Sequence, residues 1–299
     1  MPTYFPFDPN PRVPSVTLPT LACDAQFHVF GPPDKYPVRP GAAYEMPSAT
    51  VARALQMHRA LGIERGVIVQ PTTYGADHQA TLDGIAAAGS NYRGCANAAV
   101  FDNADDAYLA RLHAGGIRGA RFSRQSLGIA LTQDAFAKAI ARIRELGWYA
   151  KVQPEPAGFA AQAAPYEKLD VPVLIDHMGR PNPAAGRDDP SLRKVIGLLQ
   201  RGNFWVMLSL AEKISKAGKS LDGKHWDDVV PIMRTLIEAA PDRVVWASDW
   251  PHPVSTSQPP NEADLVELLY RATHDDAERK RILVDNPARL FGFAASQPG

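Results

Sequence analysis

The 299-residue chain contains only two cysteines, and its acidic and basic side chains balance to no net charge at pH 7. Cys23 and Cys95 have no motif spacing, so we expect buried free thiols rather than a disulfide framework. The balanced charge argues against a nucleic-acid-binding surface and against a basic membrane-binding patch. A small anionic ligand stays compatible with it, because such a ligand needs only one or two local cations.

The chain also lacks a long apolar run. No stretch approaches the ~18 consecutive apolar residues that identify a transmembrane helix. The opening residues MPTYFPFDPNPRVPSVTLP are too rich in proline for a signal peptide. They predict an extended arm over residues 1–20, followed by one domain over residues 21–299. We therefore expect a cytoplasmic protein, and the sequence leaves its oligomeric state open, a homo-oligomer included.

Short apolar runs alternate with longer segments of helical periodicity along the whole chain. The runs are CDAQFHVF (23–30), RGVIVQP (65–71), YRGCANAAV (92–100), IRGARFS (117–123), WYAKVQP (148–154), VPVLIDH (171–177), FWVMLS (204–209) and RVVWASDW (243–250). Strands that alternate with helices predict a parallel sheet. Eight such units in a chain of this length predict an α/β fold, the (β/α)8 TIM barrel. A doubly wound open sheet is the alternative, but no glycine-rich dinucleotide turn follows the first run.

Polar side chains stand where these runs end, which is where a TIM barrel carries its active site. The first run ends with Gln26 and His28, which are two positions apart and therefore share one face of a strand. The sixth run ends with His177, and the eighth ends with Asp249. A carboxylate directly after the apolar residues VVWAS is either paired or functional, because an unpaired buried charge is costly. We expect these four side chains to meet at the barrel mouth as catalytic residues.

Other charged residues near the strand ends suit an anionic ligand. His177 is preceded by Asp176, and strand alternation would let only one of the two face the mouth; we favour His177, with Asp176 as a structural hydrogen-bond acceptor. Arg121 at the end of the fourth run suits a bidentate clamp on a carboxylate. Arg180 either caps its loop or binds an anion. Lys213 is the lysine of the loop after strand 7 most suited to reach a substrate.

Seven segments of the chain carry a family likeness. They are HVFGP (28–32), GVIVQ (66–70), ATLDGIA (80–86), GGIRGARF (115–122), VPVLIDHMGRP (171–181), DRVVWASDWPHP (242–253) and NPARLFGF (286–293). In this order and at these positions they resemble the amidohydrolase superfamily, in the branch that contains 2-pyrone-4,6-dicarboxylate lactonase. The resemblance implies a TIM barrel that opens the ring ester of an acidic lactone in aromatic-compound degradation, with no required cofactor or metal.

The resemblance also implies a role for single residues. Asp249 matches the general base that activates water, and His28 and His177 match side chains that polarise the lactone carbonyl. Arg121 matches a cation that holds a substrate carboxylate. Tyr44 matches a substrate-facing tyrosine on the loop after the first strand.

Several positions depart from the family pattern. Gln26 stands where the family has a histidine, and we expect its amide to help stabilise the oxyanion. Gln153 replaces a strand-5 tyrosine, and Lys213 replaces a strand-7 arginine. Arg124 is the nearest match to a second arginine of the strand-4 loop, and His252 completes the expected substrate-binding set. These departures predict related chemistry on a different lactone, one that bears a carboxylate or a sulfonate, as 2-pyrone-4,6-dicarboxylate and 4-sulfomuconolactone do.

Three alternatives use the same residues. A divalent ion such as Zn²⁺ at His28, His177 and Asp249 would make the chain a metal-dependent hydrolase or decarboxylase. A base that deprotonates a substrate hydroxyl would make it a lactone isomerase of the galactarolactone type. A binding protein without catalysis is the third.

Overall fold

The structure is a computed structural model that describes residues 4–123, 132–217 and 225–294. Eight strands form one parallel sheet in chain order, each paired with the next. They are β1 Cys23–Phe27, β2 Arg65–Val69, β3 Tyr92–Asn97, β4 Ile117–Phe122, β5 Tyr149–Val152, β6 Val173–Ile175, β7 Phe204–Leu208 and β8 Val244–Trp246. Beyond the end of β8, backbone hydrogen bonds return to the first strand, from Asp249 N to Gln26 O at 3.0 Å and from His28 N to Trp250 O at 2.7 Å. The predicted (β/α)8 barrel is confirmed.

Helices cover the outside of the barrel. They are α1 Val51–Leu61, α2 Gln79–Ala88, α3 Val100–Asn103, α4 Asp106–Ala114, α5 Gln133–Leu146, α6 Pro190–Leu199, α7 Ala211–Ile214, α8 Val230–Ala239, α9 Glu262–Ala272, α10 Asp276–Lys280 and α11 Asn286–Phe291. The ends of α5 show why these segments are helical: Thr132 caps its first turn by accepting from Ala135 N, and Gly147 ends it in the left-handed region. No helix within the described ranges is long and apolar enough to cross a membrane.

Shorter helical turns lie in the loops. They are Thr72–Tyr74, Phe159–Gln162, His177–Gly179, Pro183–Asp188, Asp227–Val229 and the π-helical turn Arg281–Asp285. The turns Thr72–Tyr74 and His177–Gly179 follow directly on β2 and β6, at the end of the barrel where the site is expected. Tight turns therefore shape part of this end of the barrel.

Side chains fill the barrel interior and make it a packed core. The inward-facing layer contains both cysteines, which are free and buried as predicted, together with Tyr149, Leu174 and Met207. A larger apolar layer packs between the outer face of the sheet and the helices. With the interior filled, the open space that could serve a ligand lies above the strand ends.

Residues 4–20 contain no helix or strand and lie against the end of the chain that follows β8. The Phe7 and Trp250 rings are 4.7 Å apart, and Arg12 forms ion pairs with Asp264 at 2.5 Å and Glu267 at 2.8 Å. These contacts hold the segment against the residues that follow β8, and an extended arm on the barrel surface stays a prediction. The boundary between an arm of residues 1–20 and a domain of residues 21–299 stays a prediction.

Candidate active site

An irregularity in β1 turns the first two site residues toward the barrel interior. The register with β2 shifts between Asp24 and Phe27. Ala25 belongs to the interior layer, whereas Phe27 packs on the outside. Gln26 and His28 both turn inward, and each reaches the side chain of Asp249.

The Asp249 carboxylate is the centre of the cluster. Gln26 Nε2 donates to Asp249 Oδ1 at 2.6 Å, and His28 Nε2 lies 3.4 Å from the same oxygen. An ionised carboxylate only accepts hydrogen bonds, so the amide must present its N–H₂ side to it. His28 Nδ1 lies 2.8 Å from the carbonyl oxygen of Val69, which also only accepts, so Nδ1 carries a proton. Both contacts orient side chains around one buried carboxylate.

Electrostatics fix the protonation states at the centre of the site. Burial alone would raise the pKa of Asp249, but the neighbouring His177 and His28 rings and the Lys213 ammonium hold it well below its usual range. Burial lowers the pKa of His177 to about 3, so this ring is neutral at neutral pH. Its Nδ1 lies 2.9 Å from the hydroxyl oxygen of Ser209. The site therefore combines an ionised acid with a neutral imidazole.

Only one of the neighbours Asp176 and His177 lines the pocket, but strand alternation is not the reason. The strand ends at Ile175, and His177 has a positive φ of 53°. His177 lines the pocket, while Asp176 Oδ1 lies 2.5 Å from Lys151 Nζ inside the barrel, with both side chains inaccessible to solvent. Asp176 is thus a partner in a buried ion pair. Lys151 was missed in the sequence, although a lysine inside the apolar run WYAKV was a signal.

A pocket of about 170 Å³ opens above these residues. It is lined by His28, Ala43, Tyr44, Thr72, Arg121, Ser123, Gln153, His177, Arg180, Leu210, Lys213, Asp249, Pro253 and Val254. Arg121, Arg180 and Lys213 give it three cations, and no carboxylate of the described ranges lies within ion-pair distance of any of them. Arg121 donates to Gln70 O at 3.2 Å, and Lys213 donates to Pro253 O at 2.9 Å. Arg180, for which the sequence left two roles open, faces the same space as the other two.

Two further predicted substrate-binding residues also line the pocket. Tyr44 Oη accepts a hydrogen bond from Thr72 Oγ1 at 3.2 Å, and burial raises the pKa of Tyr44, so the phenol stays protonated. The side-chain oxygen of Gln153 is buried and has no hydrogen-bond partner among the described residues. Arg124 lies outside the described residues.

His252 lies behind the pocket wall rather than in the lining. Its ring is fully buried, with Nδ1 3.2 Å from Glu212 and Nε2 3.2 Å from Glu262. Burial opposes the charge, but the two carboxylates raise the pKa of His252 to about 10. The protonated ring therefore fastens the segment that carries Pro253 and Val254, two residues of the pocket wall.

The donor set at Asp249 does not match a preformed metal site. A transition-metal ion would need carboxylate and imidazole lone pairs aimed at one point. Here the N–H₂ group of Gln26 is directed at Asp249 Oδ1, the oxygen that also faces His28. Among the residues that the structure describes, no group of three or more His, Cys, Asp or Glu side chains is arranged to hold a metal ion.

A parallel eight-stranded barrel with a buried acid, two imidazoles and several cations at its C-terminal mouth defines a TIM-barrel enzyme. Residues 23–293 match the family model described as amidohydrolase, and the chain belongs to this family. The resemblance found in the sequence is thereby confirmed.

Named relatives share most of their length with this chain. A 4-sulfomuconolactone hydrolase of Hydrogenophaga intermedia is 35% identical over 93% of this chain and 91% of its own. A 2-pyrone-4,6-dicarboxylate hydrolase of Comamonas testosteroni is 34% identical over 94% and 93%. This chain superposes on the crystal structure of an Agrobacterium tumefaciens protein in the apo state with a TM-score of 0.81 at 26% identity. The superposition covers 95% of this chain and 100% of that chain.

Proposed function

We propose that this protein hydrolyses the ring ester of a small lactone that carries a carboxylate or a sulfonate, as part of aromatic-compound degradation. The observation that carries the proposal is the combination, in one pocket, of an ionised Asp249 with three cations that have no carboxylate partner in the described ranges. The relatives named as hydrolases of 4-sulfomuconolactone and 2-pyrone-4,6-dicarboxylate support it.

Asp249 acts as the general base. It accepts a proton from a water molecule at the barrel mouth, and the water oxygen adds to the lactone carbonyl carbon. When the Ser209 hydroxyl donates to Nδ1 of His177, Nε2 of this ring carries a proton and can donate to the oxyanion. The ring C–O bond then breaks, and the proton held by Asp249 passes to the leaving oxygen. The products are one carboxylic acid and one hydroxyl group, so a single water molecule is consumed.

Gln26 takes a different role from the one expected from the sequence. Its Nε2 is committed to Asp249 Oδ1 at 2.6 Å, so we assign it to holding the base rather than to the oxyanion. His28 borders the same oxygen through Nε2 and donates from Nδ1 to Val69 O, so we assign it too to holding the base rather than to polarising the carbonyl. The base is thus held on one side while its other oxygen stays available for water.

The cations select the substrate class. Arg121, Arg180 and Lys213 surround a pocket in which Asp249 supplies the negative charge. A substrate with acidic groups would neutralise this excess of positive charge and would be oriented by it. Arg121 and Arg180 present planar guanidinium groups, which suit carboxylate and sulfonate oxygens alike.

We further propose that the reaction needs no metal, because Gln26 presents a donor to the carboxylate where a metal site would need a lone pair. The expected result is full activity after exhaustive treatment with a chelator, with the metal content of the same sample measured by mass spectrometry. Activity that disappears on chelation and returns with Zn²⁺ would instead support the metal-dependent alternative.

The reaction type is tested with 2-pyrone-4,6-dicarboxylate and 4-sulfomuconolactone in water enriched in ¹⁸O. Hydrolysis places one labelled oxygen in the new carboxylate, which mass spectrometry detects, while NMR identifies the opened ring. Unsubstituted lactones of the same ring size serve as matched controls and should react poorly, because they offer nothing to the cations. A change of ring size without incorporated label would assign lactone isomerisation instead. Tight binding without turnover would assign a binding protein.

A further inference from the structure

The two side chains that meet at Asp249 Oδ1 come from opposite sides of one seam in the barrel. Gln26 belongs to β1, and Asp249 lies three residues beyond the end of β8. The pairs from β1·β2 to β7·β8 form parallel ladders, whereas β8 and β1 meet through hydrogen bonds beyond the end of β8. The relative position of acid and amide therefore depends on whatever else holds this seam.

A single carboxylate binds both sides of it. Asp24 Oδ1 accepts from Gln26 N at 3.2 Å and from Ser248 N at 3.0 Å. Asp24 Oδ2 accepts from Ser248 Oγ at 2.5 Å and lies 3.1 Å from His58 Nε2. Asp24 is fully buried and faces α1 outside the barrel, so it does not touch the pocket.

The same contacts hold the residues before and after Asp249. Asp249 has a positive φ of 61°, a backbone conformation that residues other than glycine adopt only when their surroundings enforce it. Ser248, the residue before it, is held by Asp24 through both its backbone N–H and its hydroxyl. The Ser248 hydroxyl oxygen in turn accepts from Trp250 N at 3.1 Å, the residue after it. The residues on both sides of Asp249 are thus tied to Asp24.

On the side of β1, Asp24 stabilises the irregular backbone that turns Gln26 inward. The shift in register begins at Asp24, and the N–H of Gln26 donates to the Asp24 side chain. This bond fixes the position from which the Gln26 amide reaches Asp249. Asp24 therefore acts on both members of the pair through their own backbones.

We infer that Asp24, with Ser248, is a positioning residue that sets the geometry of the general base; this inference rests on the function proposed above. Asp24 also belongs to a second set of contacts that leads away from the site, so its effect on the site can be tested apart from its effect on stability. His58 Nδ1 lies 3.0 Å from Tyr92 Oη, and this part of the network does not touch the seam.

The test compares Asp24→Asn and Ser248→Ala with Tyr92→Phe. Asp24→Asn keeps the shape but loses one acceptor oxygen, Ser248→Ala removes the hydroxyl, and Tyr92→Phe removes a buried hydroxyl of the same network outside the seam. Kinetics are measured on the lactone that the wild-type protein turns over, at a temperature where circular dichroism shows each variant fully folded. Crystal structures of the wild type and the two seam variants give the distance from Gln26 Nε2 to Asp249 Oδ1.

For both seam variants we expect kcat to fall by about 100-fold with KM changed by less than about threefold, since a small misplacement of a reacting group has effects of this size. The Gln26–Asp249 contact should lengthen in both, Ser248→Thr should recover most of the loss, and Tyr92→Phe should match the wild type. An unchanged contact, or an unchanged kcat despite a lengthened contact, would overturn the inference. If the wild-type protein opens no acidic lactone, the function fails, and the crystallographic distance still decides whether Asp24 positions Asp249.

Discussion

Replacement of Lys151 by methionine probes a fully buried charge of the barrel. The Lys151 Nζ and Asp176 Oδ1 atoms are 2.5 Å apart, and neither side chain is accessible to solvent. Methionine is similar to lysine in length and carries no charge, and Met207 Sδ, 3.6 Å from Nζ, is a compatible neighbour for it. The substitution would leave the Asp176 charge buried without a cation. Loss of one partner of a buried pair typically costs about 3–5 kcal/mol, so Lys151→Met should lower the free energy of unfolding by that amount.

Urea unfolding followed by circular dichroism measures this loss. Lys138 on α5 is exposed and offers a matched control: Lys138→Met should change the free energy of unfolding by less than about 0.5 kcal/mol. The double variant Lys151→Met, Asp176→Leu removes both charges, so it should be more stable than Lys151→Met alone and lie within about 1 kcal/mol of the wild type. A single variant as stable as the wild type would show that the pair carries no buried charge. A double variant no more stable than Lys151→Met alone would show that the loss does not come from an unpaired Asp176 charge.

Three further predictions concern protonation and the site. Burial lowers the pKa of His78 from 6.5 to about 4, and its Nε2 accepts from Asn97 N at 3.1 Å, so between these pH values only the unfolded chain takes up the proton. The free energy of unfolding should therefore fall by about 3 kcal/mol from this group as the pH drops from 6.5 to 4. Urea titrations at several pH values should show a smaller pH dependence for His78→Gln than for the wild type. His252→Gln removes a protonated ring from between two buried carboxylates and should lower the melting temperature and raise KM, because the pocket wall loosens; a variant with wild-type melting temperature and KM would contradict this role. Gln26→Glu places a second carboxylate beside Asp249, and two such groups at 2.6 Å cannot both ionise. The acidic limb of the pH profile of kcat should therefore move up toward neutral pH. An unmoved limb would show that residue 26 does not act on the base.

The barrel could be predicted from the sequence because the hydrophobic periodicity of each strand or helix is visible within its own short segment. Each predicted run contains a strand, but the predicted runs extend too far at their C-terminal ends: 171–177 contains Val173–Ile175, and 243–250 contains Val244–Trp246. The backbone leaves the sheet before these runs end, at Asp176 and at Ala247. His177 and Asp249 both have positive φ, which no strand residue adopts, and this departure from the strand is what directs them into the site.

The site itself was only partly accessible to sequence reasoning. Residues at the ends of strands, such as Asp249 and His177, are identified by the barrel rule alone. Lys151 and Asp24 are not, because each is defined by a partner on a distant segment of the chain, and such pairing leaves no local pattern in the sequence. His252 illustrates the opposite case: its position next to the strand-8 motif suggested substrate contact, while Glu212, 40 residues away in sequence, turns it into a buried cation.

The most direct measurement of the central claim is the turnover of Asp249→Asn with 2-pyrone-4,6-dicarboxylate and 4-sulfomuconolactone. The substitution keeps the shape of the side chain and removes its ability to accept a proton. A general base typically contributes about 10²–10⁴-fold to the rate, so kcat should fall by that factor, while circular dichroism and KM stay close to the wild type. Turnover within a few-fold of the wild type would contradict the assignment of Asp249 as the base that activates water.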